Sequence, residues 1–201
     1  MLLDADQRDA LTELSNIGMG RAGDALSQLL DTFVVLSAPR VRVVQAGDRE
    51  LGLRPPGGAP AGGLVTAVRQ SFFVDLQGET ITVFGLSGAN DIGVLLGAGA
   101  GEATGEDETI LDATTIMVGA LMSGLSEEMG LSLALTAPSI LVKQQPLDEL
   151  RVPFDDWRYA LMLEVRLDVE KGPFACHIFT AMPDTTIQRL RGHLDRLLET
   201  V

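Results

Sequence analysis

Two prolines 99 residues apart, Pro39 and Pro138, each interrupt a β-branched run that follows a long helical pattern. That repetition constrains the fold more than any other feature of the chain. Leu11, Leu14, Gly18, Ala22, Ala25 and Leu29 recur at helical spacing, so residues 7–30 read as a helix. A Val-rich strand over 33–46 follows, broken at Pro39 because proline has no N–H to give a ladder. The Pro/Gly stretch 53–63 reads as a loop, and 64–74 and 79–87 as strands joined by a turn at Gln77-Gly78. A short helix is expected over 90–97 and a Gly-rich linker over 97–105. The order then starts again. A helix is expected over 108–129, a strand over 131–144 broken at Pro138, and a loop over 145–156. Alternating strands begin at Tyr159 and Phe174, with a turn at Glu170-Lys171-Gly172 between them, and an amphipathic helix covers 184–200.

The hairpin glycines Gly78 and Gly172 lie 94 residues apart, close to the offset of the prolines. Similar offsets with small insertions suggest a duplication, with pseudo-repeats 1–98 and 99–201. Each half alone has too little surface to bury. The expected fold is therefore α+β, a single domain over 1–201. In it two pseudo-symmetric α-β-β-β-α halves share one mostly antiparallel sheet, with helices packed on it. An ordinary α+β domain without internal symmetry is the alternative.

Charge and composition exclude whole classes of partner. Lys and Arg number 15 against 28 Asp and Glu, a formal net charge of −13, so nucleic acid and anionic membrane surfaces would be repelled. No apolar run approaches the roughly 18 residues of a membrane helix, and insertion into a membrane is not expected. The N-terminal Met-Leu-Leu-Asp has no basic region leading into an apolar stretch, so no secretory signal is read, and the expected location is cytoplasmic. Cys176 is the one cysteine, which rules out an intramolecular disulfide and a cysteine-based zinc site.

The first helix carries polar residues that packing does not need. With Asp9 at zero on a helical wheel, Glu13 falls near 40° and Asn16 near −20°, opposite Leu11, Gly18, Ala25 and Leu29 at about 160–200°. A carboxylate and a carboxamide three residues apart are thus presented side by side. A solvated surface is the ordinary reading of such a face. Asn, however, is a poor helix former, and Gly18 and Gly20 each destabilise a helix interior by about 1 kcal/mol relative to Ala. Local rules broken together tend to mark function.

The segment Asp9-Ala-Leu-Thr-Glu13-Leu-Ser-Asn16-Ile-Gly-Met-Gly resembles the CheC/CheX/FliY family of chemotaxis phosphatases, most closely CheC. The family motif, Asp or Ser, three residues, Glu, two residues, Asn, 22 residues, Pro, is met by Asp9, Glu13, Asn16 and Pro39. The resemblance implies a second motif on the helix at 108–129. Placed with Asp112 first, its Glu position is Ile116, its Asn position Gly119 and its proline Pro138, with 18 residues between the last two instead of 22. Neither side chain can replace a carboxylate or an amide, so this copy is expected to be inert. Glu127 and Glu128, near the end of that helix, are read as solvent-facing.

The family resemblance implies hydrolysis of the aspartyl phosphate of a CheY-like response regulator, in chemotaxis or two-component signalling. Asn16 and Glu13 would be catalytic, with Asp9 and Pro39 in support. An amide C=O can accept from the attacking water while its NH₂ donates to the phosphoryl group, the positioning that phosphoryl transfer needs. Glu13 would pair with a lysine of the regulator. No cofactor of the chain's own is expected, since Mg²⁺ would sit in the regulator's acidic pocket. No metal site is read either, because His177 and His193 fall on different elements. Gly97–Gly101 lacks the Lys and Ser/Thr of a P-loop, Cys176 reads as a buried thiol, and Trp157 and Tyr159 read as packing residues. The alternative function is a non-catalytic adaptor that binds a CheD-type receptor deamidase, or a phosphorylated regulator without hydrolysing it.

Overall fold

A computed structural model of the chain describes residues 3–45, 63–85, 91, 93, 105–150, 157, 159–170 and 174–199. The elements are α1 (Ala5–Leu30), β1 (Val34–Leu36), β2 (Arg40–Gln45), β3 (Leu64–Val74), β4 (Gly78–Gly85), α2 (Glu106–Met129), β5 (Leu133–Leu135), β6 (Ser139–Pro146), a 3₁₀ turn at Leu147–Glu149, β7 (Tyr159–Val169), β8 (Ala175–Pro183) and α3 (Asp184–Leu198). The expected loop at 53–63, the linker and the second hairpin turn lie outside the described residues, except for Gly63, Gly105 and Glu170. Of the short helix over 90–97 only Asp91 and Gly93 are described.

One α+β layer pair results. The eight strands form a single sheet in the order β1-β7-β8-β4-β3-β5, with β2 extending β1 along β7 and β6 extending β5 along β3. The edge strands are exchanged: β1 and β2 pair with β7, whereas β5 and β6 pair with β3, all antiparallel. Exchanging β1–β4 with β5–β8 leaves that order unchanged. The register repeats as well. Val34 faces Val169, and 99 residues on from Val34, Leu133 faces Val74. Arg40 faces Glu164, and its counterpart Ser139 faces Arg69.

The prolines explain the strand breaks. In Ser37-Ala38-Pro39 the Ser37 N–H donates to the Arg166 carbonyl at 2.8 Å, and the Arg166 N–H donates to Ser37 Oγ at 2.9 Å. In Thr136-Ala137-Pro138 the Thr136 N–H donates to the Ser71 carbonyl at 2.9 Å, and the Ser71 N–H donates to Thr136 Oγ1 at 3.1 Å. A hydroxyl takes the place of the carbonyl that the interrupted ladder would have supplied, so the neighbouring strand keeps its partner. Pro39 is buried and Pro138 half-buried.

Alternation along β7 sorts the core. Leu161, Leu163, Val165, Leu167 and Val169 join the helices in one cluster, while Ala160 and Met162 join Val65, Ile81, Val83 and Phe179 on the other side of the sheet. Trp157 packs on that second cluster. Helix α2 has the length and mean hydropathy of a membrane span, contrary to the sequence expectation. Its apolar side chains, among them Ile110, Met117, Val118 and Leu121, are buried in the core instead.

Gly78 does not serve the turn expected of it. It is the first residue of β4, and a Cβ there would lie 2.3 Å from the Ala181 carbonyl oxygen and 2.6 Å from the Phe72 ring. Close packing excludes a side chain at that point. Helix α1 starts with a capping box: Asp4 accepts from the Gln7 N–H at 2.9 Å and the Gln7 side chain accepts from the Asp4 N–H at 3.0 Å. Gln7 also donates to Asp195 on α3 at 2.6 Å. Asp4→Ala is expected to lower stability by about 1 kcal/mol, read from urea denaturation, with the slope of the transition unchanged.

Candidate functional site

The side chains of Asp9, Glu13 and Asn16 are all exposed on α1. Among the described residues no hydrogen bond or ion pair engages them. The opposite side of the helix is held by Gln7, Leu11, Ser15, Gly18 and Met19, which are buried. The expected stripe holds up to Gly18 and then turns. Ala25 and Leu29 are exposed, Leu29 to 61%, while Ala22, Gly23, Leu26 and Leu30 are buried. The buried side swings because α1 first meets α2 and then runs over β1, where Gly23 comes within 3.7 Å of the Val34 carbonyl if given a Cβ.

The two glycines after Asn16 have different reasons. A Cβ on Gly18 would sit 2.9 Å from the Gly124 carbonyl carbon and oxygen of α2, and one on Gly124 would sit 2.2 Å from the Gly18 oxygen. The backbones of α1 and α2 therefore touch at this point. A Cβ on Gly20 would meet nothing within 4 Å. Next to the contact, Arg21 reaches Glu128 at 2.5 Å and Glu127 at 3.4 Å. These two glutamates are an anchor for α1, and the half-buried Glu128 is not the solvent-facing residue expected from the sequence.

The second motif needs a new register. Strand pairing relates β1 to β5, and Pro39 to Pro138, by 99 residues. The same offset maps the buried residues Leu11, Ser15, Gly18, Met19, Ala22, Gly23, Leu26 and Leu30 of α1 onto Ile110, Thr114, Met117, Val118, Leu121, Met122, Leu125 and Met129 of α2, all buried. Asp9, Glu13 and Asn16 then correspond to Glu108, Asp112 and Thr115, all exposed, with 22 residues from Thr115 to Pro138. The arrangement Asp112, Ile116, Gly119 is corrected accordingly. Ile116 is half-buried against the core and is no place for a carboxylate, and Asp112 stands where α1 has Glu13. The amide is replaced by Thr115, whose hydroxyl donates to the Leu111 carbonyl at 3.0 Å.

Four further titratable side chains, His177, His193, Cys176 and Glu164, are built into the fold. His177 is buried on β8, and desolvation, aided by Arg166, lowers its pKa to about 4. The His193 Nε2 meets the Met129 carbonyl oxygen. Cys176 is fully buried, its thiol pushed up by desolvation, and its sulfur contacts that of Met117 at 3.8 Å. Glu164, which the sequence reading passed over, is buried on β7 with Arg42 at 3.8 Å; desolvation raises its pKa against the pull of Arg42 and Arg40. It lies on the same side of the sheet as Met162, away from the α1 face. Among the described residues no cluster of three or more His, Cys, Asp or Glu could hold a metal.

The model of the CheC-like family matches residues 7–41, the stretch from the start of α1 through Pro39. Similar solved folds span nearly the whole chain. FliY of Thermotoga maritima is 19% identical with a TM-score of 0.69, covering 98% of this chain and 99% of that one. CheX of Desulfovibrio desulfuricans is 13% identical with a TM-score of 0.55, covering 85% and 99%. The FliM middle domain of H. pylori is 12% identical with a TM-score of 0.60, covering 95% and 99%.

Proposed function

We propose that this chain, whose residues 7–41 match the CheC-like family, is a chemotaxis signalling protein that hydrolyses the aspartyl phosphate of a CheY-like response regulator at one site on α1. The observation that carries the reading is the exposed and unpartnered Glu13–Asn16 pair, held on a helix that is locked to α2 by backbone contact. A long side chain would have to be ordered on docking, whereas a short amide on a packed helix arrives already placed. The Asn16 C=O accepts a hydrogen bond from the attacking water, and its NH₂ donates to a phosphoryl oxygen. Glu13, one turn away, pairs with a cationic side chain of the regulator and sets the docking angle. Mg²⁺, which the regulator's own acidic pocket would hold, would supply charge neutralisation at the phosphoryl group. Asp9 extends the acidic face. Pro39 acts through the strand break that fixes β1 and β2 beneath the end of α1. The site is proposed to work in the cytoplasm, as one of two pseudo-repeats (1–98 and 99–201) of a single domain.

Glu13→Ala tests the docking role. The regulator's affinity is expected to fall several-fold and to depend less on salt, because one screened charge pair is gone. Titration of the phosphorylated regulator at two ionic strengths checks this, and an unchanged salt slope would remove Glu13 from the interface. A second reading is favoured by the resemblance to the FliM middle domain: an adaptor that binds a CheD-type deamidase or a regulator without turnover. Under that reading Glu13→Ala weakens binding, but no variant changes the lifetime of the phosphate.

The corrected register yields a further expectation. Thr115→Asn combined with Asp112→Glu recreates the α1 pair on α2, with the spacing to Pro138 already in place. In an Asn16→Ala background the double substitution is expected to restore part of the phosphatase rate, measured by phosphate release. The pair Ile116→Glu and Gly119→Asn, which follows the uncorrected register, is expected to restore none.

A further inference from the structure

We propose that β2 is a pH-sensitive strap: it lies closed on β7 while Glu164 beneath it is protonated, and it opens more readily once Glu164 is ionised. The inference stands apart from the phosphatase reading and concerns the side of the sheet away from α1 and α2. Glu164 sits on β7 directly opposite Arg40 of β2, and its side chain is 5% exposed. Its neighbours on that side are Met162 and, across on β8, Phe179, both buried in the second apolar cluster. Arg42 approaches one carboxylate oxygen at 3.8 Å, while the other, Oε1, is buried with no hydrogen-bond partner. Arg40 is exposed and Arg42 is 35% exposed, so both guanidinium groups keep water while the carboxylate has given it up.

Burial disfavours the charged form of an acid unless hydrogen bonds and close ion pairs offset the lost hydration. The offset at Glu164 is the 3.8 Å ion pair and the nearby charge of Arg40, and desolvation outweighs both, raising the carboxyl's pKa. By linkage, a state in which the carboxylate reaches water is favoured by ionisation, so rising pH favours lifting β2 and falling pH favours its closure. β2 is the element suited to lift. Among the described residues its ladder, Arg40–Gln45, runs to β7 alone, and segments with few partners open locally at the lowest cost. The other charged groups on this side are committed elsewhere. Arg166 is held by Asp168 on the same strand at 2.6 Å, and Glu79 of β4 is engaged with Arg69. His177 of β8 is buried, and desolvation pushes its pKa down to about 4, so it stays neutral near neutral pH. The second half supplies the contrast. Opposite Ser139 of β6, where β2 has Glu164, stands Arg69, which is 38% exposed, and its acid Glu79 lies on central β4 and not under an edge strand.

Native-state hydrogen exchange on the full chain tests this, read at about pH 5 and about pH 8 and corrected for the intrinsic pH dependence of exchange. The β2 amides of the wild type are expected to open several-fold more often at the higher pH. Those of β6, the edge with no buried acid, and of the central strands β4 and β8 should show no such change. Glu164→Gln and Glu164→Met remove the titrating group and keep its bulk. Because Arg40 and Arg42 retain water when the acid is gone, both variants should fold. In both, β2 exchange should be slower than in the wild type at the higher pH and the same at the two pH values. Wild-type β2 exchange that does not rise with pH, or a rise that persists in both variants, overturns the proposal. A rise shared by β4 and β8 overturns it too, since the opening would then be global. Failure of both variants to fold would show the carboxylate to be a fixed part of the structure and would also overturn it.

Discussion

Replacing Asn16 with Ala is expected to lower the rate of aspartyl-phosphate hydrolysis by roughly 100-fold or more while leaving the fold as stable as before. The rate effect follows from the loss of the group that aligns water with the phosphorus, where misplacement alone reaches about 100-fold. Stability should change by no more than about 0.5 kcal/mol, and in the favourable direction, since the side chain is exposed and Ala is the better helix former. Affinity for the phosphorylated regulator should remain close to wild type, because Glu13, the proposed docking partner, is untouched. Phosphate release, regulator titration and thermal denaturation on the same preparation separate the three quantities. A variant that lost both activity and several degrees of melting temperature would show Asn16 to be structural.

The largest effect on stability is expected at the helix crossing. Gly124→Ala places a methyl 2.2 Å from the Gly18 carbonyl oxygen, where both neighbours are backbone and neither can rotate away. Separating two packed helices by about 1 Å strips contacts from the core cluster beneath them, an overpacking cost of about 3 kcal/mol. The propensity gain of Ala over Gly offsets about 1 kcal/mol of this, so the net loss is about 2 kcal/mol. For a chain of 201 residues that lowers the melting temperature by roughly 4–8 °C. Gly192→Ala, with nothing within 4 Å of its new methyl, should raise stability by up to about 1 kcal/mol. Calorimetry of the two variants decides whether the crossing is as tight as the structure has it. Equal and small shifts would show that the helices accommodate a methyl.

The element order and the shared sheet could be read from the chain because they rest on local signals. The strand-forming run over Leu64–Val74, alternation over Tyr159–Val169, helical spacing in α1 and α2, and proline breaks at matching places each identify an element without its neighbours. The exchange of edge strands is not local. Nothing in residues 34–36 states that their partner is 167–169 and not a strand of their own half. The exposed polar face of α1 was legible because Asp9, Glu13 and Asn16 face away from a buried stripe that the helix needs anyway. The α2 register was not, because Asp112 draws the eye as the first acid of a motif when it occupies the second position. Two signals in the chain could have corrected it: the repeated Ser/Thr-Ala-Pro at 37–39 and 136–138, and the Ile-x-x-Gly at 17–20 and 116–119, all at one offset. Gly78 was misassigned for a different reason. A glycine beside a polar residue between two strands looks like turn chemistry, and only the packed Phe72 and Ala181 reveal that it is kept for space.

The most direct measurement for the account is the lifetime of aspartyl phosphate on a panel of CheY-like regulators from the same genome, with and without this protein at catalytic concentration. The account predicts that at least one regulator loses its phosphate faster in its presence, with Mg²⁺ supplied for the regulator alone, and that Asn16→Ala abolishes the acceleration. Unchanged lifetimes across the whole panel, with a regulator or a deamidase nonetheless bound, would contradict it and make the chain an adaptor.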